Sequence, residues 1–103
     1  MKIRTGISLI VILTATMTTA FAQSGDVYKA KCQSCHGSAG IPNPGITKAM
    51  GVKPATDPSV KSKTEAQMIA DTANGMGKMQ PFKGKITEAQ IKEAVDYFRT
   101  FAK

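Results

Sequence analysis

The chain has 103 residues, 42% of them hydrophobic, with 14 Lys and Arg against 7 Asp and Glu, a formal net charge of +7 and no Trp. That length holds one small domain at most, and that apolar share excludes a mainly disordered chain. A basic balance can point to nucleic acid, but the chain offers neither a basic helix nor an aromatic stacking platform to bind it.

The chain opens Met1-Lys2-Ile3-Arg4, continues with an apolar run from Ile7 to Leu13 and reaches Ala20-Phe21-Ala22. A charged start, a short apolar stretch and an A-x-A site together read as a secretory signal peptide. Residues 1–22 are therefore expected to be removed after Ala22, leaving a domain over residues 23–103. Removal takes Lys2 and Arg4 with it and leaves 81 residues with a net charge of +5. The rival reading is an uncleaved anchor. It is disfavoured because Gly6 to Ala22 is short and holds Ser8, Thr14, Thr16, Thr18 and Thr19, whereas a span wants roughly 20 mostly apolar residues. The expected location is the periplasm.

An 81-residue domain has a thin core and often needs a staple. The elements in chain order are helical wherever they are readable. Ser24 can cap a helix from Gly25 that passes through Val27, Tyr28 and Ala30 into Cys32-Gln33-Ser34-Cys35-His36, and Gly37 stops it. Gly40, Pro42, Pro44 and Gly45 mark residues 38–45 as loop. A short helix over 46–50 ends at Gly51. Asp57-Pro58 reads as the cap and first position of one helical turn. Thr64-Glu65-Ala66-Gln67 is a capping box, opening a helix to about Ala73 that Asn74-Gly75 closes. Residues 75–85 form a loop punctuated by Gly and Pro. Thr87-Glu88-Ala89-Gln90 is a second capping box, with Ile86 and Ile91 as its hydrophobic staple. Ile91, Ala94, Val95, Phe98 and Phe101 or Ala102 then share one face of the last helix. No alternating run, internal repeat or phosphate-binding loop is present, and the fold class is all-α.

The two Cys and the single His of the chain sit together as Cys-x-x-Cys-His at Cys32, Cys35 and His36. This is the attachment signature of c-type haem, and random placement of the three residues yields it about once in five thousand arrangements. The spacing lets both sulfurs reach the two vinyl groups on one porphyrin edge while the adjacent imidazole meets the iron. A thioredoxin-like pair needs a βαβ context, and zinc needs four ligands. A disulfide between Cys32 and Cys35 closes too small a loop to stabilise much. One covalent haem c is the expected cofactor, with His36 as one iron ligand.

With histidine exhausted, the strong ligand left for the other side of the iron is Met, whose thioether raises the reduction potential. Met50, Met68, Met76 and Met79 are the candidates within residues 23–103. Met68 lies inside a helix on a core side. Met76 and Met79 lie in Gly75-Met76-Gly77-Lys78-Met79-Gln80-Pro81-Phe82, a loop whose glycines allow close approach to a haem face.

The order of Cys-x-x-Cys-His, Pro-bearing loop, capped helix, Gly-x-Gly-x-Met-x-Pro-Phe and aromatic C-terminal helix resembles the small bacterial class I cytochromes c, over essentially all of residues 25–103. The resemblance implies the class I fold, four to five short helices wrapped around one haem, and Met79 as the second iron ligand. It also implies a backbone carbonyl near Pro42 or, better, Pro44 that holds the His36 imidazole. Finally, it implies a crossing of the first and last helices where Ser24 or Gly25, with Tyr28, meets Tyr97 and Phe98. The function it implies is one-electron shuttling between redox proteins by a monomer, not catalysis. Lys78, Lys83 and Lys85 flank the Met loop and would attract acidic partner surfaces; no stable membrane insertion is expected. The competing reading is a haem enzyme or gas-binding protein such as a peroxidase, which needs a labile sixth position and a distal acid–base group. A haem-free thiol or metal module is the third.

Overall fold

The computed structural model describes residues 10–12, 14 and 25–103. The segment expected to be a signal peptide, the expected cleavage site after Ala22 and Ser24 lie essentially outside them; of that segment, Ile10, Val11 and Ile12 are among the residues described, and all three are exposed. Among the described residues the architecture is all-α, with no β-structure beyond two isolated bridges. No helix there is long and apolar enough to cross a membrane.

Six α-helices follow in order: α1 (Asp26–Lys31), α2 (Gln33–His36), α3 (Pro44–Met50), α4 (Pro58–Lys61), α5 (Glu65–Asn74) and α6 (Glu88–Arg99), which runs on into a 3₁₀ turn (Thr100–Ala102). The helix expected to run into the Cys motif starts one residue late, at Asp26, and breaks at Cys32, where φ is −119°. The Cys-x-x-Cys-His turn is thus a separate helical segment that can be aimed on its own. Joined across that break, α1 and α2 leave five helical units.

Both capping boxes form in full. Thr64 accepts from the Gln67 amide and Thr87 from the Gln90 amide, while each Gln side chain reaches back to its cap. Asp57 caps α4 with Pro58 at its first position. The loop expected over 38–45 ends earlier than its composition suggests. Asn43 accepts from the Ile46 amide at 2.9 Å and Pro44 opens α3, so Asn-Pro here is a cap and first helical residue rather than a turn.

The core is small. Met68, Phe82, Ile91 and Val95 are buried together, with Val60, Ile69, Ala73, Met79, Ile86 and Phe98 packed around them. This seats α5 against α6. At the other end α1 crosses α6. A Cβ on Gly25 would stand 2.5 Å from Tyr97 Cε2, and φ there is +65°, so the small residue of the crossing is Gly25. Tyr28, 1% exposed, packs against Tyr97, Phe98 and Phe101 at ring-centroid distances of 5.3, 6.2 and 5.6 Å. Its hydroxyl donates to the Gly37 carbonyl at 2.6 Å, which ties the residue after His36 to α1.

Candidate haem site

Between these two packed ends lies one cleft of about 670 Å³, mostly apolar in its lining. That size suits a small-molecule or cofactor site. Cys32, Cys35 and His36 stand on one wall, and Met76 and Met79 come from the loop after α5. Met50, Val52, Val60, Met68, Phe82, Val95 and Phe98 supply apolar surface. The structure therefore brings the four residues singled out for haem attachment and ligation to a single cavity, with Met79 reaching it from far along the sequence.

The His wall is rigid. Cys35 and His36 ride on one helical turn whose amides bond back to Cys32 O (3.2 and 2.9 Å). The imidazole meets Phe98 edge-on at 5.2 Å between centroids. Burial holds the His36 pKa below its ordinary value, which favours the neutral, metal-binding form of the ring. His36 Nδ1 is buried with no hydrogen-bond partner. The carbonyl contact that the resemblance implies near Pro42 or Pro44 is therefore not made. Pro44 is exposed at the start of α3 while Pro42 is buried. Burial, then the neighbouring Cys35, pushes the Cys32 thiol up to about 11, the reverse of what a reactive redox thiolate needs.

The Met wall is a hairpin. Met76 and Met79 exchange backbone hydrogen bonds (3.2 and 3.0 Å) around a Gly77-Lys78 turn, and Gly77 takes φ +58° at the first central position, where glycine is favoured. The two sulfurs fare differently. Met79 is half-buried and packs on the core, whereas Met76 is 55% exposed and its Sδ lies 3.3 Å from Lys63 Nζ. The loop's far end is pinned to α5: the Phe82 and Lys83 amides donate to Thr72 O and Ala73 O, each at 3.0 Å.

A half-buried imidazole with a buried, unpartnered nitrogen, two unpaired thiols beside it and a Met-bearing loop, all lining one apolar cleft, fit a covalently attached haem. Among the described residues, no cluster of three or more His, Cys, Asp or Glu could hold a metal ion instead.

The family described as "Cytochrome C oxidase, cbb3-type, subunit III" matches residues 19–98. The chain belongs to this family of c-type cytochromes. The cytochrome is 34% identical over 76 residues to cytochrome c6 of Leptolyngbya boryana, a match that covers 74% of this chain and 86% of the relative. It also superposes on the solved structure of the KustC0563 c-type cytochrome with a TM-score of 0.69 at 26% identity, covering 79% of this chain and 99% of that one. The all-α, class I cytochrome c fold is thereby assigned, and membership implies covalently bound haem c and an electron-carrying role.

Several cleft residues had no signal in the sequence. The half-buried Lys63–Asp71 ion pair lines the cleft, and so does Val52. Lysines and acids of this kind look like any solvated surface until the fold sets them together.

Proposed function

We propose that this cytochrome is an exported, monomeric one-electron carrier with a single haem c, held by Cys32 and Cys35, ligated by His36 and Met79, and shuttling electrons between redox proteins in the periplasm. The observation that carries the reading is the convergence of those four residues on one apolar cleft. When bound, haem supplies the Fe(III)/Fe(II) couple.

The chain's own residues do the rest. Cys32 and Cys35 hold the group covalently, and His36 offers a neutral nitrogen fixed by its helical turn. Met79 supports the opposite ligand better than Met76, because its side chain packs on the core while the Met76 sulfur faces the Lys63 ammonium. A soft thioether favours the reduced state. Two protein ligands leave no position for substrate, which argues for a carrier over an enzyme. The apolar wall of Val52, Val60, Phe82 and Val95 excludes water and limits reorganisation on electron transfer.

Lys78, Lys83 and Lys85 are exposed around the Met loop. Lys78 and Lys85 make hydrogen bonds there, to Ala49 O and Gln80 Oε1. An acidic partner surface is the chemistry they suit, through small transient contacts. Export is supported by the Lys2/Arg4 start, the apolar run and the Ala20-Phe21-Ala22 site.

The deciding experiment is absorption spectroscopy of periplasmically expressed protein, oxidised and then reduced. Sharp low-spin haem c bands, with the weak red band of Met sulfur on ferric iron, are expected. A high-spin spectrum that shifts with carbon monoxide or peroxide would overturn the carrier reading. The mass of the same sample should correspond to a chain beginning at Gln23 with one haem added.

A further inference from the structure

The Met loop is tied down at its tip as well as at its root. Lys78 sits at the turn of the Met76–Met79 hairpin, and its Nζ donates to Ala49 O at 2.7 Å, across 29 residues of sequence. Ala49 belongs to the last turn of α3, where backbone carbonyls run out of intrahelical donors. There the Gly51 amide closes the helix onto Thr47 O, and the Ala49 carbonyl accepts from the Lys78 side chain. The partial negative charge of a helix C-terminus favours a lysine ammonium at that place. The contact is solvent-exposed and bridges two segments that line the cleft: Lys78 and Met79 belong to one, and Met50 and Gly51, next after Ala49, belong to the other.

On the opposite flank, Lys63 is paired with Asp71 and touches the Met76 sulfur. A thioether is a weak acceptor, and the Lys63 charge is already met by Asp71. That contact holds the hairpin less firmly than the one at Ala49.

We propose that Lys78 is a positioning residue: its hydrogen bond to the Ala49 carbonyl latches the hairpin to the end of α3, holding Met79 on its iron and keeping small external ligands out. The inference rests on the reading of Met79 as ligand. Met76 and Met79 bond to each other in both directions, so the four-residue hairpin moves as a unit. Fixing Lys78 fixes the residue beside it. Loss of the latch raises the population of the open loop, and an incoming ligand reads that population.

The test follows imidazole binding to the ferric, haem-loaded protein, above the pKa of imidazole so that the probe is uncharged. The signal is loss of the red Met-to-iron band. Lys78→Gln cannot reach the carbonyl and should bind imidazole roughly tenfold faster, the effect of one charge-assisted hydrogen bond. Lys78→Arg still donates and should stay within about twofold of the parent on the same argument. Lys48→Gln, which removes one charge from the same helix end, should leave the rate unchanged. Parental kinetics in Lys78→Gln, or equal acceleration in Lys48→Gln, would overturn the latch. Met79→Ala separates the two readings. If it kept the parent's red band, the ligand assignment would fail and take the latch with it. If it lost the band while Lys78→Gln bound imidazole at the parent rate, the latch alone would fail.

Discussion

The two walls of the cleft are built by different means. The His wall is a helical turn backed by a packed crossing: α1 meets α6 through Gly25 and Tyr97, and three aromatic rings surround Tyr28. The Met wall is a hairpin in a loop, held by backbone bonds to the end of α5 and by lysine side chains at its edges. One wall rests on a helix crossing, and the other is a loop pinned to α5 that sets Phe82 and Met79 on the core. Damage to the first should therefore appear as lost stability or lost cofactor. Damage to the second should appear as changed spectrum, potential and ligand access in a protein that still folds.

The largest effect tests the His wall. Replacing Cys32 and Cys35 together by Ala should abolish covalent haem. The mass of the purified chain would lack the added group, and haem staining after denaturing electrophoresis would vanish. Next comes Met79→Ala on the other wall. The red band should be lost, and the reduction potential should fall by on the order of 0.1 V, within the ~0.8 V that axial ligands span. The far-UV spectrum should stay helical. A Met79→Ala protein that unfolded outright would break the contrast between the walls.

How far this was legible in the sequence follows the range of the interactions. Cys-x-x-Cys-His and both capping boxes lie within five residues each, so residue type and spacing carry them. The Gly25–Tyr97 crossing was legible by resemblance, though Gly25 could not be chosen over Ser24 before the contact was seen. Asn43-Pro44 was misread because Pro and Gly are turn residues in a local count, while a proline is equally at home at the first helical position. The break at Cys32 had no signal, since no glycine or proline marks it. The Lys78–Ala49 bond and the Lys63–Asp71 pair were invisible for another reason. Each joins a lysine to a partner chosen by the fold, and the chain has many lysines that look alike.

A matched pair of glycines sharpens the contrast. Gly25 and Gly77 both have φ near +60° (65° and 58°), so alanine at either costs about 1–2 kcal/mol of backbone strain. A Cβ at Gly77 meets nothing within 4 Å, whereas one at Gly25 runs into the Tyr97 ring. Overpacking adds about 1–3 kcal/mol. Gly25→Ala should thus lose roughly 2–5 kcal/mol in denaturant unfolding of the haem-loaded protein, against about 1–2 for Gly77→Ala. Equal losses would mean that the α1–α6 crossing is no tighter than the loop.

A further effect concerns Tyr28, where the crossing meets the Cys-x-x-Cys-His turn. Burial first, and then the neighbouring Cys32, pushes its pKa from 10.0 up to about 12. A raised folded-state pKa means that the folded chain keeps a proton the unfolded chain has already released. The stabilisation is complete below pH 10 and is lost as pH rises towards 12, a loss on the order of 2 kcal/mol. Tyr28→Phe keeps the ring contacts and removes the titration. It also removes the donor to Gly37 O, so at neutral pH the variant should be less stable by about 1–3 kcal/mol. Between pH 10 and 12 the two proteins should converge, because every contribution other than the phenol is common to both and cancels in the difference. Parallel stability curves across that window would show that the phenol does not titrate against folding. The hydroxyl would then serve the His wall through its hydrogen bond to Gly37 alone.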